Sequence, residues 1–301
     1  MQTRTLKSDF LLLLTSIIWG SAFVAQRVGM DHVGPFLFNG IRFALGSASL
    51  LPLLYINREQ GNFADDPPLK QVLSAGSLAG LALFAGASLQ QIGIVSTTAG
   101  NAGFITGLYV VLVPIIGILL KQSTQLGTWI GAVLAAIGLY LLSVTDQFTI
   151  APGDLYVLVG AFFWAGHVHI ISRYSRRIAP IKLAFWQFFI CSLLSLLTGI
   201  VFETNTLSGI IAATIPILYG GICSVGIAYT LQVVAQRDAH PAHAAIILSL
   251  ESVFAVVAGL LLLSEVLSLR GVVGCALMLS GMLLSQFHLT AERLRRLFGK
   301  P

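Results

Sequence analysis

Seven stretches of this chain contain no Asp, Glu, Lys or Arg: residues 10–26, 71–120, 122–145, 155–172, 183–202, 204–236 and 271–291. Runs of that length cannot be folded into a water-soluble globule. Such a globule spreads charges over roughly 25% of its residues, whereas here 10% are charged and 56% are hydrophobic. A bilayer-spanning helix takes about 20 apolar residues. Residues 71–120 must therefore turn back at least once, and so must the stretch from Glu203 to Ser264. Membrane β-strands would leave short alternating segments instead. The pattern predicts an all-α polytopic membrane protein.

Turn residues and charges divide the chain into ten predicted transmembrane helices, at 10–29, 35–56, 70–94, 98–120, 126–144, 154–173, 180–202, 210–235, 241–263 and 269–288. Pro35, Pro180 and Pro241 fall at predicted first turns, where a missing N–H costs nothing. A cytoplasmic N-terminus places Arg4, Lys7, Arg58, Lys70, Lys121, Arg173, Arg176, Arg177, Lys182, Arg237, Arg293, Arg295, Arg296 and Lys300 inside. That is fourteen of the 17 basic residues, so both termini are expected in the cytoplasm. The net charge of +5 then marks topology and not a nucleic-acid partner. The apolar start after Arg4 and Lys7 lacks a small-residue cleavage site and reads as the first span. The tail Leu294 to Phe298 reads either as an amphipathic segment on the membrane surface or as a solvated basic end. Cys191, Cys223 and Cys275 lie in apolar windows without ligand spacing and read as small packing residues.

The chain also resembles itself. At an offset of 145, Asp9, Trp19 and Pro35 match Asp154, Trp164 and Pro180; at 142, Leu89-Gln90, Ala102, Ile105 and Gly117 match Leu231-Gln232, Ala244, Ile247 and Gly259. At 143, Leu126, Gly131 and Gly138 match Leu269, Gly274 and Gly281. Two halves of five helices follow, residues 1–146 and 147–301. Because five is odd, the second half must enter the bilayer from the opposite side, giving a 5+5 inverted-topology repeat. Secondary transporters use that architecture, with the substrate site near mid-membrane between the halves.

Polar groups inside predicted spans are costly and mark candidate sites. Glu251 stands in SLESVF with no other charge from Ala239 to Ser264; it binds a cationic group or proton, or else braces neighbouring helices. Tyr109 is its mate in the repeat. Arg42, with Asn39 one turn earlier, pairs with carbonyls or a carboxylate, or reaches for an interface. Trp19, Phe23 and Gln26 share one face of the first helix, and Trp164 and His167 one face of the sixth. The mated tryptophans either line a cavity suited to flat substrates or pack as aromatic anchors. Gln90 and Gln232 are mates, with Tyr229 one turn before Gln232; they bind a zwitterion or one another's helices. Asn101 and His243 are mates near the starts of helices four and nine, beside Gly103-x-x-x-Gly107, a common close-approach motif. His167 and His169 lie about 200° apart and cannot share one ion; His240 and His243 have no further ligand. Neither a nucleophile elbow nor a phosphate loop nor a dinucleotide fingerprint occurs. No catalytic group, cofactor or metal is expected.

The segments WGSAFVAQRVGMDHVGPFLFNGIRF (19–43), TTAGNAGFITGLYVVLVPIIG (97–117), ILSLESVFAVVAGLLLLSEVLS (247–268) and GCALMLSGMLLS (274–285) resemble the drug/metabolite transporter superfamily, EamA type. The resemblance spans almost the whole chain. It implies ten helices in a five-plus-five inverted repeat, a bacterial inner membrane, and export of amino acids or other small metabolites through a cavity lined by helices one, three, four, six, eight and nine. That lining supports Trp19, Gln90, Trp164, Tyr229, Gln232, His243 and Glu251 as substrate-binding candidates. Family members often carry proline after the acidic residue of helix nine; Ser252 stands there and puts a kink in question. The expected function is secondary active export of small molecules by alternating access, with Glu251 as a candidate site for a coupling proton. A membrane-embedded enzyme, a lipid scramblase or a sensor on the same bundle is the alternative. A homodimer is compatible with the sequence, although no feature marks one.

Overall fold

The computed structural model describes residues 2–59, 67–97, 99–143, 152–263 and 268–286, and every regular element in them is helical. The first half holds α1 (Gln2–Gly29), α2 (Pro35–Ser49), α3 (Leu51–Glu59), α4 (Leu69–Ser96), α5 (Ala99–Gly107), α6 (Tyr109–Leu119) and α7 (Leu126–Ser143). The second holds α8 (Pro152–Tyr174), α9 (Pro180–Phe202), α10 (Leu207–Ala212), α11 (Thr214–Leu218), a π-helical segment Tyr219–Tyr229, α12 (Thr230–Gln236), α13 (Pro241–Leu248), α14 (Glu251–Leu263) and α15 (Leu269–Gln286). Among the described residues, 8 runs are long and apolar enough to cross a bilayer, and the apolar helices Leu126–Leu141 and Leu269–Ser285 are shorter. These occupy the ten predicted positions. Pro35, Pro180 and Pro241 each open a helix as predicted. The tail Leu294 to Phe298 lies outside the described residues.

Three departures from smooth helices matter. Helix four is interrupted at Leu108, between α5 and α6, and helix nine at Ser249–Leu250, between α13 and α14. Both interruptions tighten to three-residue hydrogen bonds, Leu108 N to Ile105 O at 3.2 Å and Leu250 N to Ile247 O at 3.1 Å; such tightening inside a helix often marks a hinge. Helix nine breaks without a proline after Glu251. Ser252 instead donates its hydroxyl to Gly103 O of α5 at 3.1 Å. Helix eight, predicted as one piece from residue 210, is a capped turn (α10, with Gly209 N donating to Thr206 Oγ1 at 3.1 Å) followed by a separate span that widens to the π-helical segment.

Outward-facing side chains are apolar and bare, such as Phe202 (78% exposed) and Ile215 (80%), as contact with lipid tails requires. Because lipid is as apolar as leucine, association inside the bilayer depends on close packing of small residues. The most extensive seam joins α7 and α15. A Cβ on Gly131 would stand 2.6 Å from Gly281 O, and one on Gly138 2.5 Å from Gly274 O. Since Gly131 meets the later glycine and Gly138 the earlier, the two helices run antiparallel. The α2–α9 pair is antiparallel as well: Phe36 N lies at Glu203, Gly40 O accepts from Ser192 Oγ at 2.8 Å, and Phe43 meets Phe188. Other close pairs are α4 with α8, α4 with α9, α1 with α14, α5 with α8, and the π segment with α1 and α2.

Glu203, at the end of α9, caps α2: its carboxylate accepts from Phe36 N at 2.7 Å and Leu37 N at 2.8 Å. An anion at a helix N-terminus gains both from the unpaired N–H groups and from the helix dipole. Replacing Glu203 with Ala is expected to cost about 2 kcal/mol, read as a lowered thermal midpoint; an unchanged midpoint would show that the cap is dispensable.

Candidate functional site

The middle of the bundle encloses a cavity of about 40 Å³, room for roughly two or three waters. It is lined by eight of the ten candidate side chains: Trp19, Gln90, Tyr109, Trp164, His167, Tyr229, Gln232 and Glu251. Each is delivered by a local feature of the fold. The stripe Trp19, Phe23, Gln26 on α1 faces inward as its spacing predicts, and α8 presents Trp164 and His167 one turn apart. The helix interruptions place Tyr109 first in α6 and Glu251 first in α14. The π segment ends at Tyr229, and α12 carries Gln232.

An aromatic box fills the centre. The Tyr229 ring stacks on Trp164 with centroids 6.1 Å apart and tilts against Trp19 at 4.4 Å; the His167 ring meets Trp164 edge-on at 6.1 Å. Both tryptophans are therefore inside the bundle and not interfacial anchors. Their indole N–H groups are used differently. Trp164 Nε1 donates to Gln90 Oε1 at 3.0 Å, and Gln90 Nε2 in turn donates to Gln26 Oε1 at 3.2 Å. Trp19 Nε1 donates instead to Ser224 O of the π segment at 3.3 Å. Among the described residues Gln232, the counterpart of Gln90, is thus left with a buried carbonyl oxygen that has no partner, as is His167 Nδ1. An unpaired buried polar atom costs free energy. These two are places where a ligand's polar groups would be gained without displacing protein bonds.

Two charges line the same cavity. Glu251 Oε1 accepts from Tyr109 Oη at 3.3 Å. Arg42 is 2% exposed, its Nε donating to Asn39 Oδ1 at 2.9 Å while the guanidinium packs over Phe43 at 5.0 Å and Phe38 at 5.6 Å. It does not reach an interface, and among the described residues it is in no ion pair. Glycines make room for it: a Cβ on Gly220 of the π segment would lie 3.3 Å from Arg42 Cδ. The Arg42 guanidinium and the Glu251 carboxyl group line one buried cavity without bonding to each other. A ligand carrying both charge signs would complement it.

The other two candidates are placed elsewhere. His243 does not line the cavity: its Nε2 lies 2.8 Å from Asp9 Oδ1 and its Nδ1 2.9 Å from Ser285 Oγ, a buried tie between α1, α13 and α15. The side chain of Asn101 lies outside the described residues. The cavity also uses Thr106 and Ser224, which nothing in the sequence singled out; a run with three glycines around Ser224, at 220, 221 and 226, is the one available signal. His169 turns away from His167 and reaches Val113 O at 2.8 Å. Among the described residues no cluster of metal ligands is present.

Comparison with known proteins agrees with this architecture. The EamA-like transporter family matches twice, at residues 6–144 and 151–287. An uncharacterized transporter of Archaeoglobus fulgidus is 36% identical over 88% of this chain and 81% of its own length. A probable amino-acid metabolite efflux pump of Salmonella typhimurium is 26% identical over 97% of this chain and 99% of its own, and the uncharacterized inner membrane transporter YedA of Escherichia coli is 27% identical over 84% and 81%. One solved crystal structure, 22% identical, superposes with a TM-score of 0.71 over 95% of this chain and 98% of that one, which shows a shared fold. Matched along both halves, this multi-pass membrane protein belongs to the EamA-like transporter family, within the drug/metabolite transporter superfamily.

Proposed function

We propose that this chain is a secondary active exporter of the inner membrane that moves small zwitterionic metabolites, amino acids with flat side chains foremost, by alternating access of two inverted halves with both termini in the cytoplasm. The observation that carries the reading is the cavity: Arg42 for a carboxylate, Glu251 for an ammonium or a coupling proton, and Trp19, Trp164 and Tyr229 for a ring. The amino-acid metabolite efflux pump and the inner membrane transporter among its relatives favour the same substrate class and location.

Several contacts support the inverted repeat. Under exchange of halves Gly131 becomes Gly274 and Gly281 becomes Gly138, so the Gly131–Gly281 approach maps onto the Gly138–Gly274 approach. Tyr109 bonds its own counterpart Glu251, as only residues beside a two-fold axis do. Equivalent helices run antiparallel, α7 to α15 and α2 to α9, which is the relation an axis in the membrane plane imposes. The helix interruptions at Leu108 and Leu250 are equivalent too, and supply hinges at the level of the cavity.

A cavity of about 40 Å³ is smaller than an amino acid, so binding requires the halves to separate around the aromatic box. Inside-out vesicles holding the protein are expected to accumulate one or more labelled aromatic amino acids above protein-free vesicles. A metabolite panel that gives no difference from those controls would remove the reading.

A further inference from the structure

A second, larger concavity of about 800 Å³ opens beside the cytoplasmic ends expected for helices four and six. Its walls carry Lys121 from the turn after α6, Arg173 from the end of α8 and Arg176 and Arg177 from the turn that follows it, with His169 and His240 between them and, among the described residues, no carboxylate in the lining. Among the described residues none of these four cations is in an ion pair; Arg176 Nε reaches only Arg237 O, at 3.2 Å. Partial burial, then the nearby His169, His243 and Arg176, hold the His240 imidazole below its usual range. Scattered loop cations would satisfy the topology rule without converging. Four that converge on one hollow repel one another and are stabilised by an anion.

Two further features shape the hollow. Lys121 has φ of 56°. It occupies the left-handed position of a Schellman turn, with Gln122 N donating to Gly117 O at 2.8 Å and Lys121 N to Ile118 O at 2.9 Å. Glycine adopts that conformation without strain, so a lysine there is held at a modest backbone cost. One wall is apolar and bare: Leu78 is 45% exposed and Leu120 52%. Leu78 is nine residues into α4, about 13 Å from its start at the helical rise, which is acyl-chain depth.

We propose that this basic vestibule binds the phosphate headgroup of an anionic phospholipid, with an acyl chain against Leu78 and Leu120. The site is separate from the central cavity and does not depend on which substrate is transported. A phosphodiester accepts from several cations at once, and basic pockets between spans near the cytoplasmic surface are suited to such headgroups.

The test uses the full chain in detergent, with phosphatidylglycerol, phosphatidylcholine and inorganic phosphate as probes, read by native mass spectrometry and thermal midpoint. Phosphatidylglycerol is expected to be retained and to raise the midpoint where phosphatidylcholine does not. The variant K121Q/R173Q/R176Q/R177Q should lose phosphatidylglycerol affinity by about tenfold or more while keeping its midpoint in phosphatidylcholine. Lys121→Gly should bind the lipid more weakly and yet melt higher without it, since glycine relieves the strained turn. Equal retention of the two lipids, equal loss when the tail is changed instead (R293Q/R295Q/R296Q), or displacement of phosphatidylglycerol by inorganic phosphate that itself protects the protein would each overturn the lipid assignment.

Discussion

Replacing Glu251 with Gln is expected to lower transport by about a hundredfold or more while leaving the thermal midpoint unchanged or raised, and Arg42→Met is expected to behave the same way. The two signs separate function from bracing. Each charge is buried in an apolar box, Glu251 at 5% and Arg42 at 2% exposure, and neither has an ionic partner among the described residues. Burying an ion costs several kcal/mol that hydrogen bonds return only in part, so removing the charge relieves the resting protein. A substrate that relies on both charges loses a buried charged contact, which costs about 2–5 kcal/mol. If Glu251 were only a brace held by the Tyr109 hydroxyl, Glu251→Gln would lower stability and leave transport per folded molecule intact. Proton coupling makes a narrower demand. Glu251→Gln should then still exchange labelled for unlabelled substrate across the membrane but no longer accumulate it with a pH gradient; normal accumulation with unchanged pH dependence would refute coupling through this residue.

How much of this was legible in the sequence follows from what lipid forbids. Spans could be located closely, because hydrocarbon demands apolar, internally hydrogen-bonded helix and punishes every charge; the breaks within helices four, eight and nine could not. By the same rule Glu251, Arg42, Gln90 and Gln232 stood out, and all four line the cavity. What escaped was set by the tertiary structure. His243 looked like a cavity residue because its counterpart and position were right, but its partner Asp9 lies 234 positions away in sequence, and no periodicity announces such a pair. Arg42 left several readings open because its contacts, aromatic rings and Asn39, all lie on its own helix and mark no distant partner. The interruption before Glu251 forms with Ser252 where a proline was looked for, stitched by a hydroxyl to the neighbouring helix. The π segment has no sequence rule beyond the three glycines around Ser224, and with it the Ser224 carbonyl, which takes the Trp19 indole and frees Gln232, was out of reach.

Gly131→Val is expected to cost about 3 kcal/mol or more, enough to make the protein aggregate on extraction. The first atom added already lies 2.6 Å from Gly281 O, and backbone, unlike a flexible side chain, cannot turn aside. The α7–α15 seam must open along its length, losing the close packing that replaces the hydrophobic effect between helices in lipid. The proposed inverted repeat makes the prediction sharper. Under it Gly131 and Gly274 are equivalent, as are Gly138 and Gly281, so valine at 131 and at 274 should lower the midpoint by similar amounts, and likewise at 138 and 281. Unequal losses within each pair would count against the two-fold, and midpoints within a degree or so of the parent would mean the helices are not in backbone contact. No residue of α7 or α15 lines the cavity. A milder substitution such as Gly131→Ala should therefore reduce the amount of folded protein without changing which substrates the survivors carry, the reverse of what Glu251→Gln does. Fold and site thus fail independently, because one rests on glycines at the seam and the other on Arg42 and Glu251 in the cavity.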